Sequence, residues 1–280
     1  VSEAGGLGIL GAATWKPDGF REQIRLARQL TGRPFEANIV VSSPLSEMQI
    51  EVVIEENLPA VTTSAGGAGR YTSRLKEAGV FVIHVVPTVG FAIQARSAGV
   101  DAIVAEGSES GGFTSLEEIS TFALVPQVVD AVDCPVLAAG GIGDGRGLAA
   151  AMALGAVGVQ IGTRFLATIE AEIPDDYKKA LLMARDTDTI LHGSKKAAAG
   201  LMKDELRERV SEAMKAEAPE ESENPGDWDT HLKKQPETMA WAAGQVAGLI
   251  REIAPVREVI EGMVRQAGHI FESQSRSFGG

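Results

Sequence analysis

Two glycine breaks are the residues of this chain best placed to do chemistry. Gly140-Gly141 follows the apolar run 136–139, and Gly162-Thr163 follows the apolar run 157–161. An Ala-rich helical segment, 147–154, lies between them, so the stretch reads as two buried strands joined by a crossover helix. A glycine turn at the carboxyl end of a strand lets backbone N–H groups approach an anion closely, and the next helix presents its positive end. In a parallel β/α barrel, the loops after the seventh and eighth strands are where a phosphate docks. A single Gly-Gly also ends many ordinary strands, so the weight rests on two breaks in consecutive units, the second reading Gln160-Ile161-Gly162-Thr163-Arg164. Gly141-Ile142-Gly143-Asp144-Gly145 does not make the dinucleotide fingerprint. Asp144 and Arg146 read as a turn residue and a helix start.

Other chemistries are narrowed by what the chain holds. Its one cysteine, Cys134, excludes an internal disulfide and a cysteine-based metal cluster. Its place before Pro135, at the start of an apolar run, suits a buried thiol rather than a nucleophile. There is no His-x-x-x-His or paired carboxylate–histidine spacing, so no metal is expected. Of four histidines, His84 sits within an apolar run and reads as a core residue. His192 and His231 fall in the C-terminal third, nearer a substrate, and His269 reads as surface helix. A net charge of −12 argues against nucleic acid, whose phosphates need a basic footprint. No apolar run approaches the roughly 18 residues of a membrane span, and no signal peptide is visible. A cytoplasmic protein that does not enter the membrane is the expectation.

The elements that must position these residues follow from periodicity. Strand-like runs at 7–10, 35–41, 60–63, 80–86, 102–105, 136–139 and 157–161 alternate with helical segments at 20–30, 48–56, 71–78, 90–98 and 147–154. Such alternation means parallel βα units. The expected fold class is α/β, a TIM-like (β/α)8 barrel that is one unit short. The first residues look like the end of a first helix feeding a second strand, so about 20 to 30 residues are expected ahead of Val1 on typical βα-unit lengths; unusual closure of the barrel is the alternative. Beyond 161 the pattern changes, with helices expected at 177–184, 201–215, 239–253 and 256–271. The acidic, turn-rich run 217–229 reads as solvated loop. This last third is expected to cap the barrel mouth and select the substrate.

Four segments, in order, carry a resemblance to a known family. They are AGGLGILGA near the start, VAEGSESGG at 104–112, AAGGIGDGRGLAAAMALGAVGVQIGTRFLAT at 138–168 and AGQVAGLIREIAPVREVI at 243–260. Together they resemble the nitronate monooxygenases, formerly 2-nitropropane dioxygenases, and their relatives the flavin-dependent enoyl-acyl-carrier-protein reductases. The resemblance implies a barrel holding FMN at the carboxyl ends of its strands. It divides the chain into an FMN-binding barrel at 1–168, a helical cap with the acidic loop at 169–237, and C-terminal helices at 238–280 that pack back on the barrel. It places the FMN phosphate on the backbone of Gly140-Gly141 and Gly162-Thr163, with Gln160 nearby. Asn38 matches a position close to the flavin ring, and Glu106 the place where the family often has Gln or Glu beside the ring or ribityl chain. Gly111 and Gly112 give close backbone approach. Asn38 as a strand-end cap and Glu106 as a structural ion-pair partner stay open, and the sequence does not fix the ionisation of Glu106.

The departure from the family pattern is Phe113, where many members carry a histidine that acts as the base. Phenylalanine can neither accept nor donate a proton. The catalytic group is therefore unassigned, with Glu109, Thr114, Ser115 or a histidine as candidates. Alternatively, a nitronate arrives already deprotonated, or the Phe113 ring stacks on a different substrate. The leading expectation is an FMN-dependent oxidoreductase that oxidises a small nitronate-like molecule with oxygen as acceptor. The alternatives are an enoyl-thioester reductase using NAD(P)H as a transient donor, and a non-catalytic flavin-binding subunit. The expected partner is a small-molecule substrate, with a homodimer or a partner subunit both open.

Overall fold

The computed structural model describes residues 1–115, 117–194, 197–217 and 241–278. From the N-terminus the elements are β1 (Gly8–Gly11), α1 (Pro17–Leu30), β2 (Phe35–Val40), α2 (Ser46–Glu55), β3 (Ala60–Ser64), α3 (Thr72–Glu77) and β4 (Phe81–Val86). There follow α4 (Val89–Ser97), β5 (Ala102–Glu106), β6 (Gly112–Thr114), α5 (Thr121–Ala131), β7 (Val136–Ala139), α6 (Gly145–Ala153), β8 (Gly158–Gln160) and α7 (Thr163–Leu166). The remaining elements are α8 (Asp175–Met183), β9 (Thr189–Ser194), β10 (Ala197–Met202), α9 (Asp204–Glu217) and α10 (Val256–Phe278).

Seven strands form one parallel sheet in the order β1-β2-β3-β4-β5-β7-β8, the arrangement of an open β/α barrel. Each strand is short and rich in apolar residues, as a sheet covered on both faces requires. One face packs outward on the helices, where Ala37, Ile39, Val61, Val82, Ile103 and Ala138 join the main core. The other faces the barrel interior, where Ile83, Ala102, Val104 and Ala139 form a smaller cluster. Helix α1 shows how the outer layer is attached: Pro17 opens it at a position where proline is pre-organised, and Phe20 and Ile24, one turn apart, are fully buried. Among the described residues, no helix is long and apolar enough to cross a membrane.

The C-terminal third departs from the sequence expectation in three places. Residues 189–202 form the hairpin β9–β10, and β6 adds to it to make a second sheet in the order β6-β10-β9. The helix expected from 201 therefore starts at Asp204, because Leu201 and Met202 belong to β10. The segment 239–253 is not an α-helix where described, from 241 on; Ala242 bridges to Leu201 and Gln245–Leu249 forms a 3-10 turn. The reason is where its amides go. Gly244 N–H donates to the Thr163 hydroxyl and Gln245 N–H to the Glu109 carbonyl, rather than to helical carbonyls. The expected loop 217–229 lies outside the described residues beyond Glu217, as does His231. Helix α10 returns along α6, burying Val259, Met263 and Ala267 at helical spacing, and Gln266 Oε1 accepts from Gly145 N–H at 2.8 Å.

Candidate functional site

The strand ends converge on a polar row at the barrel mouth. Residues directly opposite in a ladder share a face, so the pairs Glu106–Ala139 and Ala139–Gln160 line up three side chains facing the interior. Asn38 pairs with Thr62, and Thr62 with the interior Ile83, which places Asn38 on the same inner face. Its Oδ1 accepts a hydrogen bond from Ser64 Oγ at 3.2 Å. Gln160 makes no side-chain hydrogen bond among the described residues.

Beside this row the backbone opens. Gly140 and Gly141 have φ of 93° and 70°, a region that L side chains rarely adopt. Among the described residues, the N–H groups of Gly140, Gly141 and Gly162 donate to no acceptor. A Cβ built on Gly162 would meet no atom within 4 Å. The Thr163 hydroxyl, expected at the phosphate, accepts the Gly244 N–H at 3.0 Å, so it ties the C-terminal segment to the mouth and keeps its own proton to donate.

The loop after β5 meets the C-terminal segment at Ala243 and Gly244 and the hairpin at β10. Glu109 turns its carboxylate to the start of α5, accepting the Thr121 N–H at 2.8 and 3.0 Å. The Thr121 hydroxyl lies 3.0 Å from Glu109 Oε2 and from the carbonyls of Ala139 and Gly140, so one proton serves this whole corner. Gly111 approaches other backbone: a Cβ there would stand 2.5 Å from Gly244 N. Equivalent atoms on Gly200 and Gly244 would stand 2.3 Å from Ser110 O and 2.4 Å from Glu109 O. Gly112, with φ of 76°, has open space in that direction.

The remaining sequence candidates scatter. Phe113 is 60% exposed on β6, and Ser115 Oγ accepts from Glu117 N–H at 3.1 Å. Thr114 is half-buried in β6. The register places His192 in line with Phe113 through Ala199. His84 is buried, with Nδ1 2.7 Å from Thr63 Oγ1, and burial lowers its pKa, so it is a satisfied core residue. His269 is exposed on α10. Asp144 caps α6 through the Arg146 N–H at 2.9 Å and pairs with the Arg146 guanidinium. Burial pushes the Cys134 thiol up, away from the thiolate a nucleophile needs.

Two carboxyls stand out electrostatically. Burial pushes Glu106 up to about 7, with the neighbouring Ser110 hydroxyl pulling the other way. Burial also pushes Glu36 up to about 7; its Oε1 accepts from Thr62 Oγ1 at 2.9 Å and its Oε2 is buried without a partner. Sequence reasoning missed Glu36, Ser110 and Thr121. The alternation Glu36-Ala37-Asn38 held the signal for Glu36, since it shares a strand face with Asn38. Nothing in the sequence marked Ser110 or Thr121.

Comparison with known proteins places these features in a family. Residues 1–51 and 45–266 match the model of the family described as nitronate monooxygenase. The chain is 40% identical over 189 residues to the 5-hydroxy-7a-methyl-1-oxo-octahydro-1H-indene-4-carboxyl-CoA dehydrogenase of Rhodococcus jostii, covering 68% of this chain and 53% of that protein. It is 36% identical over 236 residues to a probable nitronate monooxygenase of Staphylococcus saprophyticus, covering 68% of this chain and 66% of that protein. The chain thus spans between about half and two thirds of the curated relatives' length. FabK from Thermotoga maritima is similar in structure, with a TM-score of 0.86 at 39% identity over 99% of this chain and 90% of that one. By sequence across nearly its whole length, and by a fold that brings its glycine breaks to one barrel mouth, the chain belongs to the nitronate monooxygenase family.

Proposed function

We propose that this chain is an FMN-dependent oxidoreductase that oxidises a small nitronate-type anion with oxygen as acceptor. One observation carries the reading: among the described residues, free backbone N–H groups at Gly140, Gly141 and Gly162 lie at adjacent strand ends, beside inward-facing Glu106 and Gln160, with Asn38 on the same inner face of the sheet. Free amides next to glycine space suit a phosphate, and amide and carboxyl side chains suit the polar edge and ribityl hydroxyls of FMN. The residues therefore fit the group. FMN, when bound, supplies the two-electron redox chemistry.

The chain's own part is binding and positioning. Gly140, Gly141, Gly162 and Thr163 hold the phosphate, while Asn38, Gln160 and Glu106 orient the rest. Gly111 lets the loop lie close against the C-terminal segment at Ala243 and Gly244, which excludes water there. The division into a barrel at 1–168, a selecting cap at 169–237 and a C-terminal return at 238–280 belongs to the same proposal, as does a cytoplasmic setting. Phe113 moves no proton and Glu109 is engaged by Thr121, and a substrate that arrives already deprotonated needs a base from neither. The family match and the Staphylococcus relative support this reading.

A second reading, an enoyl-thioester reductase fed by NAD(P)H, is favoured by the 40% identity to a carboxyl-CoA dehydrogenase. Anaerobic mixing of the FMN-loaded protein separates the two. Bleaching of the flavin bands by a nitronate, and recovery with oxygen, is the expected outcome. Bleaching by NADH or NADPH alone would replace it with the reductase reading, and bleaching by neither would leave a non-catalytic flavin-binding subunit.

A further inference from the structure

We propose that Glu106 works as a neutral acid at the mouth, donating a hydrogen bond that holds the anionic substrate and sets the preference for nitronate-type anions. The inference rests on the proposed function and deepens it. Glu106 ends β5 on the inner face, in line with Ala139 and with Gln160 of β8, after which Gly162 leaves open space in the direction of a Cβ. It stands three residues from Glu109 and seven from Phe113, so it is the carboxyl of this loop that the chain leaves turned to the interior. The Ser110 hydroxyl beside it is buried and has no hydrogen-bond partner, so a proton acceptor or donor is left unused at that spot. An ionised carboxylate there would repel an anionic substrate. A protonated one presents a donor to it, as an amide would.

The surrounding charges do not compete for this role. Glu109, on the same loop, is fixed on Thr121. Glu36, deeper on the inner face, is bonded to Thr62, and His84 on β4 to Thr63. Arg164, after β8, donates to the carbonyls of Ala167 and Glu252. What acts on Glu106 is burial, which favours the neutral form. Its position near 7 puts the change of state within an ordinary working range.

The test uses the FMN-loaded protein and butyrate, an unreactive carboxylate of the size of a small nitronate, with binding read from perturbation of the flavin spectrum. Affinity is expected to fall about tenfold per pH unit above about pH 7 as the single proton is lost. In Glu106→Gln, which keeps a donor without a titrating proton, affinity should stay level across the same range. A level profile in the parent, or a slope that persists in Glu106→Gln, overturns the inference. A second arm reads the carboxyl itself: the infrared band of a protonated carboxylic acid, present in flavin-free protein at about pH 6, should lose one component in Glu106→Gln. No such loss also overturns it. Absence of FMN binding with the infrared component intact would instead count against the flavin reading alone.

Discussion

Replacing Gly111 with alanine is expected to undock the C-terminal segment from the loop after β5, costing about 3 kcal/mol of stability. The new Cβ would stand 2.5 Å from Gly244 N, 2.6 Å from Ala243 C and 2.8 Å from Ala243 Cα. These are backbone atoms, which cannot rotate aside as a flexible side chain does. Nor can the partner segment back away freely, because Gly244 N–H is tied to Thr163 Oγ1 and Gln245 N–H to Glu109 O. Gly200 meets the same loop from the hairpin side, so the strain falls on a corner packed from both directions. Thermal unfolding should drop by roughly 6 to 12 °C at this size, and FMN affinity should weaken as Thr163 loses its anchor. Gly112→Ala is the matched control. Its φ of 76° costs roughly 1 to 2 kcal/mol, but open space receives the methyl group. Equal melting of Gly111→Ala and the parent would show that the C-terminal segment does not rest on the loop in this way.

The second large effect lies in how stability depends on pH. Glu36 is 2% exposed, one carboxyl oxygen bonded to Thr62 and the other without a partner, and burial pushes it from 4.5 up to about 7. Because its folded pKa lies above its unfolded value, its contribution is fully present below about pH 4.5. It is lost as pH rises through about 7, a change on the order of 3 kcal/mol. Glu106 acts in the same direction. Glu36→Gln keeps an oxygen for Thr62 and removes the charge, so the variant should be more stable than the parent at about pH 8 by roughly 1 to 3 kcal/mol, allowing for an amide that lacks a full set of partners. Urea unfolding at about pH 5 and pH 8 measures it. The same slope in parent and variant would mean that Glu36 ionises freely in the folded protein.

The barrel was legible because its signals are local. Apolar runs such as 102–105 and 136–139, each closing on glycine, reproduce β5 and β7 to within a residue, and Gly140 and Gly141 adopt the positive φ that their type permits. The C-terminal third was not, because its form is set by contacts distant in sequence. Residues 241–254 have helical composition, yet Thr163 and Glu109, some 80 and 135 residues earlier, capture the amides that a helix would use. The strand β6 is equally invisible, since Gly112-Phe113-Thr114 becomes a strand only when β10 supplies a partner. At the candidate site, sequence reasoning pointed to residues on strand ends and passed over those that only burial marks. Ser110 looks ordinary in the sequence, and only the interior leaves its hydroxyl, like Glu36 Oε2, without a partner.

An equilibrium titration of the flavin-free protein with FMN and with riboflavin reads whether the backbone after β7 and β8 holds a flavin phosphate. Riboflavin has the same ring and ribityl chain without the phosphate. FMN is expected to bind more tightly by on the order of 100-fold, the worth of one or two charge-assisted hydrogen bonds from Gly140, Gly141, Gly162 or Thr163. Equal affinity for the two, or no binding of either, would contradict the claim.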